Sequence, residues 1–241
     1  MDWKVWKPKY DEIVKRLKLN EESDRKSAKI ISEILPEIDQ TELKKKIDGR
    51  ECIVFGAGPS LEKDLDLLEK NGWLKKTLVT ADGATSAVMN YRTPDVIVTD
   101  LDGIVEDQLE AWEDGAWMVV HAHGDNIPEV KKIVPKLKER VIGSIQVNQP
   151  AEITNFGGFT DGDRAAFLSH HFGASTIYLA GMNLGTDIGR WTGKTDITQK
   201  IEKLSICKEL LSWLSEEFGA NIINITTSGT DIPNVPWKEI K

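Results

Sequence analysis

From residue 51 onward, short β-branched runs alternate with amphipathic stretches, and no other feature of the chain narrows its fold so far. Strands are expected at 52–55, 77–81, 96–99, 117–121, 141–147, 177–180 and 222–225. Helices are expected at 60–71, 105–113, 127–139, 161–172 and 197–218. Parallel strands need a crossover between them, so regular succession of strand and helix dictates an α/β fold: a mostly parallel, Rossmann-like sheet with helices on both faces. In such sheets ligands bind at the carboxyl ends of the strands, near a switch in strand order.

Residues 1–50 have a different texture and are read as a helical N-terminal extension to a catalytic domain over 51–241. They are rich in Lys and Glu, hold no glycine before Gly49, and place Ala28, Ile31, Ile34 and Leu35 at helical spacing. Two or three helices are expected, broken at Pro8 and Pro36. Trp3 and Trp6 are expected to dock this arm onto the main body or onto a second copy, which leaves room for a homo-oligomer.

A net charge of −8 argues against a nucleic-acid-binding protein, which needs a basic face. It suits an enzyme of phosphates, whose positive charge is supplied by carboxylate-bound Mg²⁺. Two cysteines provide neither a disulfide framework nor a thiolate zinc site. No apolar run approaches a membrane span and the start lacks the pattern of a secretory signal, so a cytoplasmic protein without a membrane partner is expected.

The polar motifs follow predicted strands. Gly56-Ala57-Gly58-Pro59-Ser60 joins strand 52–55 to helix 60–71, and the backbone N–H groups at such a turn suit a phosphate. It has neither a third fingerprint glycine nor a P-loop lysine, and a purely structural turn is the competing reading. Thr99-Asp100-Leu101-Asp102-Gly103 ends another strand. Residues two apart on extended chain share a side, so Asp100 and Asp102 are expected to converge on a cation or a metal pair.

His121-Ala122-His123-Gly124-Asp125 follows the next strand. Zinc is conceivable there, but no third imidazole stands at ligand spacing, which favours a phosphate-contacting or supporting role for His123, with Asp125 facing the site. Gly157-Gly158-Phe159-Thr160-Asp161-Gly162-Asp163-Arg164 enters helix 161–172, where Thr160 is a natural cap and the acids suit the positive helix end. Gly181-Met182-Asn183 follows the strand at 177–180. The loop carrying Arg190 and Lys194 and the helix carrying Lys200 and Lys203 offer cations to a polyphosphate.

As an ordered set, these motifs with Ala81-Asp82-Gly83-Ala84 and Pro94-Asp95 resemble the archaeal-type 6-hydroxymethyl-7,8-dihydropterin pyrophosphokinases over about residues 50–227. That family shares its core with flagellin-associated motility accessory proteins. More distantly, Asp82-Gly83, the Asp100/Asp102 pair and Thr160-Asp161 resemble thiamine pyrophosphokinases, whose corresponding acids hold magnesium. Gly103 departs from the serine of that second group, and its closing substrate segment is not evident here.

The resemblance implies diphosphoryl transfer from ATP to the pterin with release of AMP, in tetrahydromethanopterin or folate synthesis. It implies that Asp100 and Asp102, with Asp125 or Asp161, hold Mg²⁺ on the ATP phosphates. Gly56, Gly58, Pro59, Ser60, Asp82, Asn183, Lys194 and Lys203 are then expected to bind the nucleotide. Lys194 and Lys203 would also neutralise the leaving oxygen, and Asp163 or His123 would serve as the base. A thiamine-type diphosphotransferase, a nucleotide-sugar glycosyltransferase and a nucleotide-binding regulatory subunit are the alternatives.

Overall fold

The computed structural model describes residues 1–148, 153–187, 189–191 and 196–240. Seven parallel strands form one sheet: β1 (Glu51–Phe55), β2 (Thr77–Ala81), β3 (Val96–Thr99), β4 (Trp117–His121), β5 (Val141–Ser144), β6 (Thr176–Ala180) and β7 (Ile222–Asn224). Their spatial order is β5-β4-β3-β2-β1-β6-β7. The chain therefore winds outward from β1 in one direction as far as β5, then crosses back to lay β6 on the other side of β1. The β1–β6 boundary is the topological switch, where adjacent loops diverge and leave a crevice.

Alternation along the strands feeds two cores. Ile53 and Phe55 face α4 (Leu61–Lys70) and α5 (Ala84–Met89). Cys52 and Val54 face the opposite side, toward α8 (Asp161–His171) and α9 (Ile197–Phe218). Helices thus cover both faces, which is why the strands read as continuous apolar runs. The remaining crossover helices are α6 (Val105–Glu113) and α7 (Ile127–Ile133).

Two expected elements differ from the structure, and one helix was not expected. The helix read over 127–139 stops as α7 at Ile133, and residues 134–136 form a 3₁₀ turn in which Pro135 supplies no N–H. The strand read over 141–147 ends at Ser144, after which the backbone turns so that the Gln146 carbonyl accepts from Trp6 Nε1 at 2.9 Å. Helix α5 is only six residues long, too short to leave a readable period.

The N-terminal arm consists of α1 (Trp3–Leu17), α2 (Glu21–Ile34) and α3 (Thr41–Ile47). Pro36 follows the end of α2, but Pro8 lies inside α1 rather than at a break. Both Pro8 and Lys4, whose carbonyl loses its donor, are exposed, so water replaces the missing bond. Trp6, Tyr10, Ile13, Ala28, Ile31, Leu43 and Ile47 are buried in the same core as the sheet. Trp6→Ala is expected to cost about 3 to 5 kcal/mol, measured by urea unfolding. An unchanged midpoint would mean the arm contributes nothing to the core. Among the described residues no helix is long and apolar enough to cross a membrane.

Candidate active site

The carboxyl ends of the strands open into a cavity of about 570 Å³, whose wall includes Gly56–Pro59, Asp82, Asp100, Asp102, His121, His123, Asp161 and Lys203. At its centre, Asp82, Asp100 and Asp161 each place one carboxylate oxygen within 4.8 Å of the others. They come from the end of β2, the end of β3 and the first turn of α8, so only the packed sheet and helix bring them together.

Each acid is held differently. Asp82 Oδ1 accepts from Thr99 Oγ1 at 2.6 Å and from Gln108 Nε2 at 2.5 Å, which fixes the carboxylate on its inner side. A Cβ on Gly103 would collide with the other oxygen, so glycine is required where this loop passes Asp82. Asp100 Oδ2 lies 3.4 Å from His123 Nε2. Because His123 Nδ1 accepts from the Asp125 N–H at 3.3 Å, Nε2 carries the proton and donates to Asp100.

Burial and mutual repulsion set the protonation of this group. Burial pushes the Asp82 and Asp161 carboxyls up, and the charge of Asp100 adds to both shifts. Asp102 is pushed up to about 8 by burial and by Asp100 and Asp82. Burial also raises Asp100, but the His123 and Asp102 contacts outweigh it and bring that group to about 2. Three oxygen donors that repel one another in the absence of a cation fit a hard divalent ion such as Mg²⁺.

The geometry alters several sequence expectations. Asp102 does not share an extended face with Asp100, because β3 ends at Thr99 and Leu101 has φ 68°, outside extended backbone. Asp102 stands at the cavity wall, its N–H donating to Asp100 Oδ1 at 3.2 Å and its carboxyl beside those of Asp82 and Asp100. Asp82, expected among the nucleotide ligands, occupies the third place in the carboxylate group. Asp125 is an exposed wall residue outside that group.

Asp163 is fully buried and accepts from the Phe159 N–H at 2.6 Å and the Thr160 N–H at 2.8 Å. Those contacts make it a capping residue of α8. His123, the other residue expected as a base, has Nδ1 accepting from the Asp125 N–H and Nε2 beside Asp100. Neither histidine belongs to a group of three potential metal ligands among the described residues.

The Gly56–Ser60 turn is also less open than expected. Gly56 N–H donates to Ala180 O, Gly58 N–H to Gly181 O, and Ser60 N–H to Asn183 Oδ1 at 2.9, 2.8 and 3.2 Å. These amides are spent tying β1 to β6, and a Cβ on Gly58 would strike Gly181 O and Asn183. Asn183 completes the clamp, its Nδ2 donating to Thr227 O at 3.2 Å, while the single Ser60 Oγ proton is shared between Asp64 Oδ2 and Asn183 Oδ1. Pro59 lines the cavity without an N–H to offer. Lys200 and Lys203 reach the same cavity from α9 and form no ion pair among the described residues. Lys194 lies outside the described residues.

Sequence reading missed four supporting side chains. Buried Gln108 braces Asp82, and buried Asp64 accepts from Ser60 Oγ, Gly181 N–H and Thr227 N–H. Asp24 on α2 accepts from Tyr10, Gln146 and the Gly124 N–H. Arg164 is entirely buried, donates to Phe159 O at 2.9 Å, and faces Asp161, Asp163, Asp100 and Asp24 through space as their counter-charge. Nothing in a single sequence distinguishes such groups from surface polar residues on amphipathic helices.

Comparison with known proteins gives the site its context. A protein of Pyrococcus furiosus named 6-hydroxymethyl-7,8-dihydropterin pyrophosphokinase is 42% identical over 236 residues, 94% of this chain and 100% of its own length. Proteins of the same name from Methanocaldococcus jannaschii and Methanothermobacter thermautotrophicus are 40% and 37% identical, covering 90% and 89% of this chain and 97% and 95% of their own. A MAf glycosyltransferase from Magnetospirillum magneticum shares the fold at TM-score 0.51 and 17% identity, over 83% of this chain and 37% of that one. The model of the MptE-like 6-hydroxymethylpterin diphosphokinases matches residues 27–189, a span that begins within α2 and takes in all three central carboxylates. The chain belongs to the MptE-like family of 6-hydroxymethylpterin diphosphokinases.

Proposed function

We propose that this protein transfers the terminal diphosphate of ATP to 6-hydroxymethyl-7,8-dihydropterin. The observation that carries the reading is the match, over almost the whole chain, to three proteins named for that activity. The hydroxymethyl oxygen gives its proton to water and bonds to the β-phosphorus, the bond from that phosphorus to the bridging oxygen breaks, and AMP leaves with that oxygen. Transfers of this kind depend on positioning and charge neutralisation and ask for little covalent chemistry from the protein.

Asp82, Asp100 and Asp161 are the residues to hold Mg²⁺, and Asp102 stands beside them. An ion held there would supply positive charge to the phosphate oxygens. His123 keeps Asp100 oriented, and Thr99 and Gln108 keep Asp82 oriented. Lys200 and Lys203 stabilise the charge that accumulates on the departing α-phosphate. The enzyme acts in the cytosol, and its product serves tetrahydromethanopterin or folate synthesis.

The test supplies ATP and Mg²⁺ with hydroxymethyldihydropterin, with thiamine, or with no acceptor, and measures AMP. AMP is expected only with the pterin. Equal release with thiamine, or none with the pterin, overturns the assignment.

A further inference from the structure

The paired register of β3 and β4 ends at Thr99 and Val120. Asp100 and His123 stand beyond the last residues of those strands, on chain that the sheet ladder no longer holds. A metal ligand in such a place keeps its geometry only if neighbouring groups supply the missing bonds.

Asn126 supplies them. It closes the short 3₁₀ turn Gly124–Asn126 that follows β4, and it is only 4% exposed. Its Nδ2 donates to the Asp100 carbonyl and to the His121 carbonyl, both at 2.7 Å. Its Oδ1 accepts from the His123 N–H at 3.0 Å. Both protons of the amide nitrogen are therefore used, and the reversed orientation would set its oxygen against two carbonyls. One side chain thus restrains Asp100 twice, directly at its backbone and, by way of His123, at its carboxylate. The turn is itself seated on the N-terminal arm. Gly124 N–H donates to Asp24 Oδ1 at 2.8 Å, and a Cβ on Gly124 would collide with Ser23.

Capping the turn asks for less than this. The capping contact is the bond from His123 N–H to Asn126 Oδ1, and an aspartate would offer the same oxygen. The two donations to the tips of β3 and β4 require an amide nitrogen, which aspartate lacks. The need for an amide at 126 therefore comes from the strand tips and not from the turn.

We propose that Asn126 is a positioning residue for the metal-binding carboxylates, fixing Asp100 against the tip of β4 so that its oxygen stays beside those of Asp82 and Asp161. Removing a partner that orients a metal ligand costs about 10- to 100-fold in metal affinity. This rests on the reading of the three acids as the magnesium site of a diphosphokinase, and adds to it the group that holds one of them in place.

Two full-length variants test it. Asn126→Ala removes every bond of the side chain. Asn126→Asp keeps the volume and the capping oxygen and removes both donations. Each is expected to weaken the binding of Mn²⁺ alone to metal-free protein, measured by calorimetric titration, by at least about tenfold. The Mg²⁺ concentration that half-saturates AMP release should rise by a similar factor, while KM for the pterin stays within about twofold. The new carboxylate of Asn126→Asp would by itself favour a cation, so weaker binding there reports lost position. Thr77→Val is the control. Thr77 Oγ1 donates to Lys46 O at 2.6 Å at the other end of β2, so its loss should lower the melting temperature and leave Mn²⁺ binding unchanged. Unaltered Mn²⁺ affinity in either folded variant at 126 overturns the proposal. So does an equal loss in Thr77→Val, failure of both variants at 126 to fold, or absence of Mn²⁺ binding by the unmodified protein. If the unmodified protein releases no AMP with the pterin, the diphosphokinase reading fails, and the Mn²⁺ titration still decides on Asn126.

Discussion

Asp100→Asn is expected to lower the rate of AMP formation by about 10²- to 10³-fold, with Asp161→Asn and Asp82→Asn close behind. Each substitution keeps the side-chain volume and removes one charge from the group whose oxygens lie within 4.8 Å of one another. A preorganised electrostatic contact of this kind is worth about 3 to 4 kcal/mol in the transition state. Metal-free stability should hold or rise, because removing one carboxylate relieves the repulsion that pushes Asp82 and Asp161 up. Glu110→Gln, exposed on α6, is the control and should change neither property. The measurement is AMP release beside thermal melting, with and without Mg²⁺ and ATP. Near-normal rates in Asp100→Asn and Asp161→Asn together would remove the carboxylates from the mechanism.

The second large effect is the pH dependence of stability. Asp82, Asp161 and Asp102 all hold their protons more tightly in the folded protein than an unfolded carboxyl does. The folded state therefore binds more protons than the unfolded chain, and stability falls as pH climbs from the unfolded value near 4 toward 8. Asp100 runs the other way. Its folded value of about 2 stabilises the protein above pH 4 and is lost only in strong acid, outside that window.

Metal-free protein should accordingly melt highest near pH 5 and lower near pH 8. In a chain of this size each kcal/mol lost corresponds to about 2 to 4 °C. Adding Mg²⁺ should flatten the slope, since a cation between the acids favours their charged forms. Melting curves from pH 5 to 8.5, with chelator and with Mg²⁺, measure both. A flat metal-free profile would mean that the acids do not repel one another in the folded state.

Much of this protein is legible in its sequence because the information is local and periodic. Seven β-branched runs, separated by segments long enough for a crossover, specify a parallel sheet wherever they sit, and each observed strand overlaps one of them. The polar residues after those runs mark the cavity for the same reason: parallel strands present their carboxyl ends together. Asp100, Asp161, His123 and Lys203 were found in this way, and all line the cavity.

What the sequence could not reveal was set by three-dimensional neighbours. That Asp82 joins Asp100 and Asp102 depends on the β2–β3 pairing, which is not visible in a spacing of two. Asp163 looks like a second acid of the site but turns inward, because the N-terminus of α8 needs its oxygens. The amides of the Gly56 turn look free until β6 lies beside β1 and accepts from them. The sequence alone determined the sheet, its helical covering and the edge of the sheet where chemistry resides, since hydrophobic period and turn residues act within a few positions. Only the tertiary structure decided which three carboxylates meet and that the arm from α1 to α2 closes one end of their cavity. Those contacts join distant residues, Asp24 and Gln146 being 122 positions apart, and charge and hydrogen bonding act through space without regard to that separation.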